Sequence, residues 1–410
     1  MTAAGILRAL TPTEKIYADK EIYVGYSVRA VGQLDLDALA TAYEAVCRAY
    51  PQLAARLETG DDGPVLVDSG APPEARICDG DPEDPLTGVE LDQQRALSAL
   101  SVVRDGADAS VALITHHSIA DARHSLDALA ALWSCYTDAV HGVPVDLPSH
   151  PYPRPLEDLL AERGIQRTAP SEAAAAEPLA APNRPEPERF PLMRHVTQHR
   201  MTAAQSAALA ELGHREQVTI NGLLSGAVLL VEAEIRDLPL TDLLLRYTVN
   251  LRNRVTPQIG PAEGTNVVGG GIFKVGNGIE PDAVAIGRAL GAQLRAGLAD
   301  GSIQRSLLDM VSQPAPAAAA SGPLPAVVSM TNWGLVPPLR TPDELLLTNF
   351  RSTSRIVRAS VEDLASSGGY VVNTFDGRVG IDLAWPEGDP EVPRRLDCLR
   401  KRLSRMARRS

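Results

Sequence analysis

Cysteine, lysine and aromatic residues are all scarce in this chain of 410 residues. Its four cysteines, Cys47, Cys78, Cys135 and Cys398, lie far apart and form no CxxC pair. That excludes a disulfide framework and a cysteine zinc site, and no metal is expected. Only four lysines occur, Lys15, Lys20, Lys274 and Lys401, and none closes a GxxxxGK(S/T) loop, so P-loop phosphoryl transfer is excluded. Gly269-Gly270-Gly271 and Gly276-Asn277-Gly278 lack the third glycine of a dinucleotide fingerprint. There is no GxSxG elbow and no HExxH. No apolar run reaches the ~18–20 residues that a membrane span requires. The stretch Met1–Arg8 has no basic region followed by an apolar core, so a cytoplasmic location is expected. Positive charge is in deficit, 39 basic against 51 acidic residues for a net −12, which argues against nucleic-acid binding.

What is present is an ordinary globular composition, 44% apolar, in a chain long enough for two or three domains. Thr11-Pro12-Thr13-Glu14 reads as a capped helix start. Ile22, Val24, Tyr26 and Val28 alternate as in a half-buried strand. Asp35 to Tyr50 has helical periodicity and stops at Pro51. Runs at 99–104 and 109–115 flank Asp105-Gly106-Ala107-Asp108 as a hairpin, and a helix is expected over 121–140. Thr219–Ile235 is apolar nearly all round, as in a buried helix. Strands are expected at 243–249, 326–330, 369–375 and 378–385, the last two joined at Asp376-Gly377. Ala, Pro and Glu dominate 168–188, and 314–325 is again rich in Pro and Ala. The reading is α/β, with one lobe over 1–167, a linker over 168–194 and a second lobe over 195–410.

The segment that carries chemistry is Thr115-His116-His117-Ser118-Ile119-Ala120-Asp121-Ala122. Two histidines stand where a strand ends and an aspartate where a helix begins. Neighbouring residues of a strand point to opposite faces, so one histidine can face a cleft while the other packs inward. Three readings stand. His117, Asp121 and His124, on one helical face, are metal-ligand types. Alternatively, His116 and His117 are core histidines and Asp121 only a helix cap. Or a neutral imidazole acts as general base, its ordinary pKa near 6.5 suiting that role.

HHxxxD after a strand resembles the signature of the superfamily that joins chloramphenicol acetyltransferase and nonribosomal-peptide condensation domains. The rest of the chain is similar to its polyketide-associated acyltransferase branch, the phthiocerol dimycocerosyl transferase-like enzymes. The likeness is carried, in the family's order, by Arg8–Glu14, Leu34–Leu39, Tyr50–Arg56, Leu156–Gly164, Thr248-Val-Asn-Leu-Arg252, Gly264-Thr-Asn-Val-Val-Gly269, and Thr331–Gly334 with Leu339–Pro342. The resemblance implies two chloramphenicol-acetyltransferase-like lobes in a V with a channel between them. It implies acyl transfer from a thioester, on an acyl carrier protein or coenzyme A, to an alcohol or amine acceptor, with no tightly bound cofactor. His117 would be the general base, His116 a supporting residue and Asp121 a structural one, with Arg340 as the candidate partner of Asp121. A carrier protein or polyketide synthase would be a partner. The family motif ends in glycine, whereas Ala122 follows the aspartate here. The alternative is a catalytically silent, condensation-like scaffold that binds a carrier protein or synthase.

Arg394–Ser410 stands apart, with eight basic residues against Asp397 alone. Leu396, Leu399, Leu403 and Met406 make one helical stripe, so an amphipathic basic helix is expected. It is read as docked on the second lobe with a solvated basic face, or as a patch for an acidic carrier protein or an anionic membrane surface.

Overall fold

The computed structural model describes residues 5–409 except 62, 169–187, 313–325, 362 and 364–367. In chain order its elements are β1 (Ile6–Ala9), α1 (Pro12–Ala18), β2 (Ile22–Gly32), α2 (Leu36–Ala49), β3 (Ala55–Gly60), β4 (Gly63–Asp68), β5 (Ala75–Asp79), β6 (Ser98–Asp105), β7 (Asp108–His116), α3 (Ala122–Val140) and α4 (Leu156–Ala161). There follow β8 (Phe190–Arg200), α5 (Ala203–Glu216), α6 (Ile220–Arg236), β9 (Leu243–Asn250), β10 (Val268–Lys274), α7 (Ala283–Ala299), α8 (Ser302–Ser312), β11 (Ala326–Leu335), β12 (Leu345–Ala359), β13 (Gly369–Phe375), β14 (Arg378–Pro386) and α9 (Val392–Ala407).

Local chemistry accounts for the boundaries. Thr11 and Glu14 form the capping box of α1 around Pro12, and the Asp35 carboxylate accepts from the Ala38 amide at the start of α2. Asp376 and Gly377, both left-handed (φ 50° and 66°), make the tight turn between β13 and β14.

Among the described residues eleven strands form one sheet in the order β10-β9-β11-β13-β14-β8-β12-β2-β7-β6-β5, while β1, β4 and β3 make a small second sheet. The helices divide between its two faces. In the first lobe Tyr26, Val28, Val111 and Leu113 share a core with residues of α2 and α3. In the second, Tyr247, Met330, Ile381 and Leu383 share a core with residues of α6, α7 and α9. Ser352 of β12 stands opposite Tyr26, and its hydroxyl donates to Asp382, between Ile381 and Leu383 on β14. Side chains alternate along a strand, so the two helix layers lie on opposite faces of one sheet.

Two segments cross the expected division of the chain. Strand β12, from the second half, pairs with β2 along nearly its whole length, and Leu156, Leu159 and Leu160 of α4 belong to the second core. Of the expected linker, 169–187 lie outside the described residues, as do 314–325; Phe190–Arg194 already belong to β8. Among the described residues no single helix is long and apolar enough to cross a membrane. The helices α5 and α6 pass that test only jointly and meet at 102°, with most of α6 buried in the second core. Helix α9 docks as expected, with Leu399, Leu403 and Met406 buried. Arg395 donates to the buried Glu232 at 3.0 Å and lies 4.8 Å over the Trp385 ring.

Candidate active site

Helix α3 anchors the site. Leu126, Leu129, Leu132, Trp133 and Tyr136 are all essentially buried, each worth roughly 1.5–3 kcal/mol of apolar burial, and they hold its first turn against the end of β7. The histidine pair divides between the faces of the sheet. His116 lies on the face of Tyr23 and Ile114; His117 follows the alternation of Leu113 and Thr115 onto the other.

His116 is fully buried, its Nδ1 accepting from the Ser118 amide at 3.2 Å and sharing a 2.7 Å hydrogen bond with the Ser118 hydroxyl. Its ring meets Tyr23 edge-on at 4.8 Å, and its Nε2 is buried without a partner. Burial, with His117 beside it, pushes its pKa down to about 3, so it remains neutral and apart from proton transfer near neutrality.

His117 is half-buried. Its amide donates to the Ile22 carbonyl at 2.7 Å, and its ring stacks on Tyr17 of α1, centroids 4.1 Å apart and planes 15° apart. Nδ1 lies 3.1 Å from Oδ1 of Asn266, while Nδ2 of the same amide donates to the His117 carbonyl at 2.7 Å. The second contact turns the oxygen of Asn266 towards Nδ1, so Nδ1 carries the proton and Nε2 keeps a free lone pair. Burial lowers the His117 pKa from its ordinary value, against the opposing pull of its hydrogen bonds and of the Asp121 charge.

Asp121 caps α3 and ties it to the second lobe. Oδ1 accepts from the His124 amide at 3.0 Å; Oδ2 accepts from Arg252 Nη1 at 2.7 Å and from the Val267 amide at 2.8 Å. Burial alone would raise its pKa, but the charge and hydrogen bond of Arg252, with the His124 amide, outweigh that and hold it low. The segment 264–267 that carries Asn266 is gripped further. Thr265 donates its hydroxyl to the buried Glu14 at 2.8 Å, and Glu14 is itself held by Arg8 at 2.6 Å.

Arg340 is not the partner of Asp121. It donates to the Ser134 carbonyl at 2.7 Å and pairs with Asp138, at the far end of α3. Seventeen residues at 1.5 Å rise separate Asp138 from Asp121 by about 25 Å, beyond any side chain's reach. The partner is Arg252, last residue of the Thr248–Arg252 landmark, with both side chains more than nine-tenths buried. The three metal-ligand types do not converge either. His124 gives Nδ1 to the Gly264 carbonyl and Nε2 to Gln52, and both Asp121 oxygens are occupied. Among the described residues no group of three His, Cys, Asp or Glu could hold a metal ion. Ala122 is the first residue of α3 and is not in the left-handed region, so the helix accepts its methyl group without strain.

Sequence reasoning did not assign roles to Tyr17, Arg252 or Asn266. All three lie in or beside segments that carry the family likeness, but their meeting depends on tertiary folding.

The family model for the C-terminus of phthiocerol/phthiodiolone dimycocerosyl transferase matches residues 191–384. Curated proteins named phthiocerol/phthiodiolone dimycocerosyl transferase are similar along most of the chain. That of Mycobacterium ulcerans is 32% identical over 86% of this chain and 86% of its own. That of Mycobacterium leprae is 30% identical over 90% and 91%. Among solved structures, polyketide synthase associated protein 5 from Mycobacterium tuberculosis superposes with TM-score 0.80 at 26% identity, over 99% of both chains. The first condensation domain of the CDA synthetase shares the fold, with TM-score 0.68 at 14% identity over 98% and 95%. With that identity over that length, and HHxxxD at the junction of two lobes, the chain belongs to the phthiocerol/phthiodiolone dimycocerosyl transferase family of acyltransferases, within the condensation-domain and chloramphenicol-acetyltransferase-like superfamily.

Proposed function

We propose that the chain transfers an acyl group from a phosphopantetheine thioester, on a carrier protein or coenzyme A, to the hydroxyl of a lipid- or polyketide-like alcohol, with His117 as general base. The observation that carries this is the Asn266 amide, which fixes the proton on Nδ1 and leaves Nε2 as an acceptor. Nε2 takes the hydroxyl proton as the oxygen attacks the thioester carbonyl. The tetrahedral adduct expels the thiolate, and the imidazolium returns the proton to sulfur. No covalent enzyme intermediate is required. Base catalysis of this kind is worth roughly 10²–10⁴-fold, with alignment of the two substrates supplying much of the rest. Asp121 and Arg252 act as positioning residues, and His116 supports the strand end.

This reading places the enzyme in the cytoplasm, with a carrier protein or polyketide synthase delivering the donor. Arg400, Lys401 and Arg405, exposed on α9, and Arg408 just beyond its end offer a basic face to an acidic carrier. Replacing Arg400, Arg405 and Arg408 with glutamate should raise KM for a carrier-bound donor; unchanged kinetics would remove this docking face.

The central test is thiol release from acyl-coenzyme A and acyl-carrier donors with a panel of alcohols, native protein against His117→Ala. Release that depends on the alcohol and falls at least 100-fold in the variant, as loss of the base requires, establishes the reaction. Release without an alcohol would make the protein a hydrolase, and equal rates in the two proteins would dismiss His117.

A further inference from the structure

Tyr17 of α1 lies flat against the base. Its ring and that of His117 are stacked, with centroids 4.1 Å and planes 15° apart. Between neutral rings this is packing. When one ring takes up a positive charge, the electron-rich face of the other attracts it.

His117 takes up that charge in every turnover, when Nε2 accepts the hydroxyl proton and the imidazole becomes an imidazolium. Its Nδ1 is bonded to the neutral Oδ1 of Asn266, not to a carboxylate. Charged groups on the elements packed round the ring are already matched. Asp121 pairs with Arg252 at 2.7 Å, and Glu14, on the same helix as Tyr17, pairs with Arg8 at 2.6 Å. His116 is neutral and lies on the other face of the sheet. Asp121 still favours the imidazolium, but burial disfavours it more. Against the plane of the imidazole itself stands the π face of Tyr17.

That face is held in place from both lobes. Thr11 and Glu14 cap α1, and Glu14 accepts from the Thr265 hydroxyl at 2.8 Å. Thr13 donates its amide and hydroxyl to Glu157 of α4 at 2.9 and 2.8 Å, and α4 belongs to the second core. Five residues beyond Tyr17, the Ile22 carbonyl accepts from the His117 amide at 2.7 Å. Burial and the Asp121 charge push the Tyr17 pKa up to about 12, so the phenol stays neutral near pH 7 and offers a face, not a charge.

We propose that Tyr17 is a positioning residue that acts through His117: its ring fixes the plane of the imidazole, and its π face stabilises the imidazolium formed in base catalysis. The proposal rests on the reading of His117 as the base. A cation on an aromatic face gains roughly 2- to 30-fold in an equilibrium constant, according to how far water is excluded.

The test replaces Tyr17 with leucine, with phenylalanine and with phenylalanines carrying one, two and three ring fluorines. Fluorine weakens the π face and keeps the shape of the ring, whereas leucine removes the face altogether. Tyr17→Phe should stay within about threefold of the native kcat, because the face remains. Along the fluorinated series kcat should fall stepwise, to roughly 2- to 30-fold below Tyr17→Phe, with KM nearly constant. The acid inflection of kcat should move down with it, by about 0.5–1.5 in pH, because loss of the face disfavours the charged imidazole. A ring that serves only as packing gives a flat series with an unmoved inflection, and that result overturns the proposal. So does a Tyr17→Phe rate as low as that of Tyr17→Leu, which would assign the effect to the hydroxyl. If Tyr17→Leu does not fold, the fluorinated series decides alone. Titration of the His117 ring protons by NMR, assigned by their loss in His117→Gln, reads the same contact without turnover. Its pKa should be highest in the native protein and Tyr17→Phe and lowest with three fluorines; one value throughout overturns the proposal. If His117→Ala keeps its activity, the base reading fails instead, and the titration still judges the contact between the rings.

Discussion

Replacing Arg252 with methionine tests the interaction that joins the two lobes at the site. The substitution keeps the apolar length of the side chain and removes the charge. Asp121 is then left inside with two amide hydrogen bonds and no counter-charge, because both partners are almost wholly buried. Breaking a buried pair in this way costs about 3–5 kcal/mol, a large part of the 5–15 kcal/mol that holds a typical protein folded. Urea unfolding can be followed by tryptophan fluorescence, with Trp133 reporting on the first core and Trp385 on the second. The pH dependence has a definite sign. In the native protein the depressed Asp121 pKa contributes stability that is present above about pH 4 and lost as pH falls through the depressed value. In the variant the two amide hydrogen bonds oppose burial without the guanidinium's help, so the folded pKa rises from its native position, and the penalty of the unpaired carboxylate is full near neutrality and is relieved on acidification. The gap between the two proteins is therefore widest near pH 7 and narrows towards pH 3. Arg340→Ala is the control. Its pair with Asp138 is half exposed, and its loss should cost no more than about 1 kcal/mol with activity unchanged. A cost for Arg252→Met as small as that of the control, or a gap that stays constant with pH, would refute the argument.

Three further outcomes follow from the same geometry. His117 must be neutral to accept a proton and burial lowers its pKa, so the inflection in kcat/KM should lie below pH 6.5, with activity lost as pH falls through it; an inflection above pH 7 contradicts the assignment. Asn266→Ala frees Nδ1 and the tautomer, so kcat should drop by roughly tenfold or more, as loss of about one charge-assisted hydrogen bond implies, while KM changes little; a change confined to KM would place Asn266 in binding. Gly226→Ala puts a Cβ 2.5 Å from the Ala283 carbonyl oxygen where α6 crosses α7, and should lower stability by about 1–3 kcal/mol, read as a fall in Tm.

How much of this was legible depended on range along the chain. The helices at 36–49, 122–140 and 220–236, the hairpin at 98–116 and the turn at Asp376-Gly377 carry their own periodicity or turn chemistry, and the sequence expectation sits within a few residues of each. Strand β12 escaped because Leu345–Ala359 places threonine, serine and arginine between apolar residues without strict alternation. It is central to the sheet, with polar residues such as Ser352 satisfied by Asp382, and only tertiary context reveals that. The start of β8 falls within the expected linker for a similar reason, since Pro191 and Arg194 interrupt its pattern. At the site, HHxxxD was visible as a local motif. The expectation that Arg340 pairs with Asp121 fails because the proximity of Asp121 and Arg252, 131 positions apart, has no local signature; the paired strands β9 and β10 bring Arg252 to the start of α3.

That distribution has a mechanical consequence. His117 belongs to the first lobe, but its tautomer is set by Asn266 of the segment leading into β10, and that segment is held by Asp121, by Glu14 through Thr265 and by Arg252. The base is therefore competent only while the two lobes remain in register. Two features among the described residues enforce the register. One is the continuous ladder β8-β12-β2, and the other is the buried Asp121–Arg252 pair. Opening of the lobes is thus restricted to motions that leave both intact, and any wider motion separates Asn266 from His117 and releases the proton arrangement. A variant that weakens the pair should accordingly lose kcat before it loses its fold, and in Arg252→Lys, which keeps a charge but not the planar donors, activity should fall further than the change in Tm alone would account for.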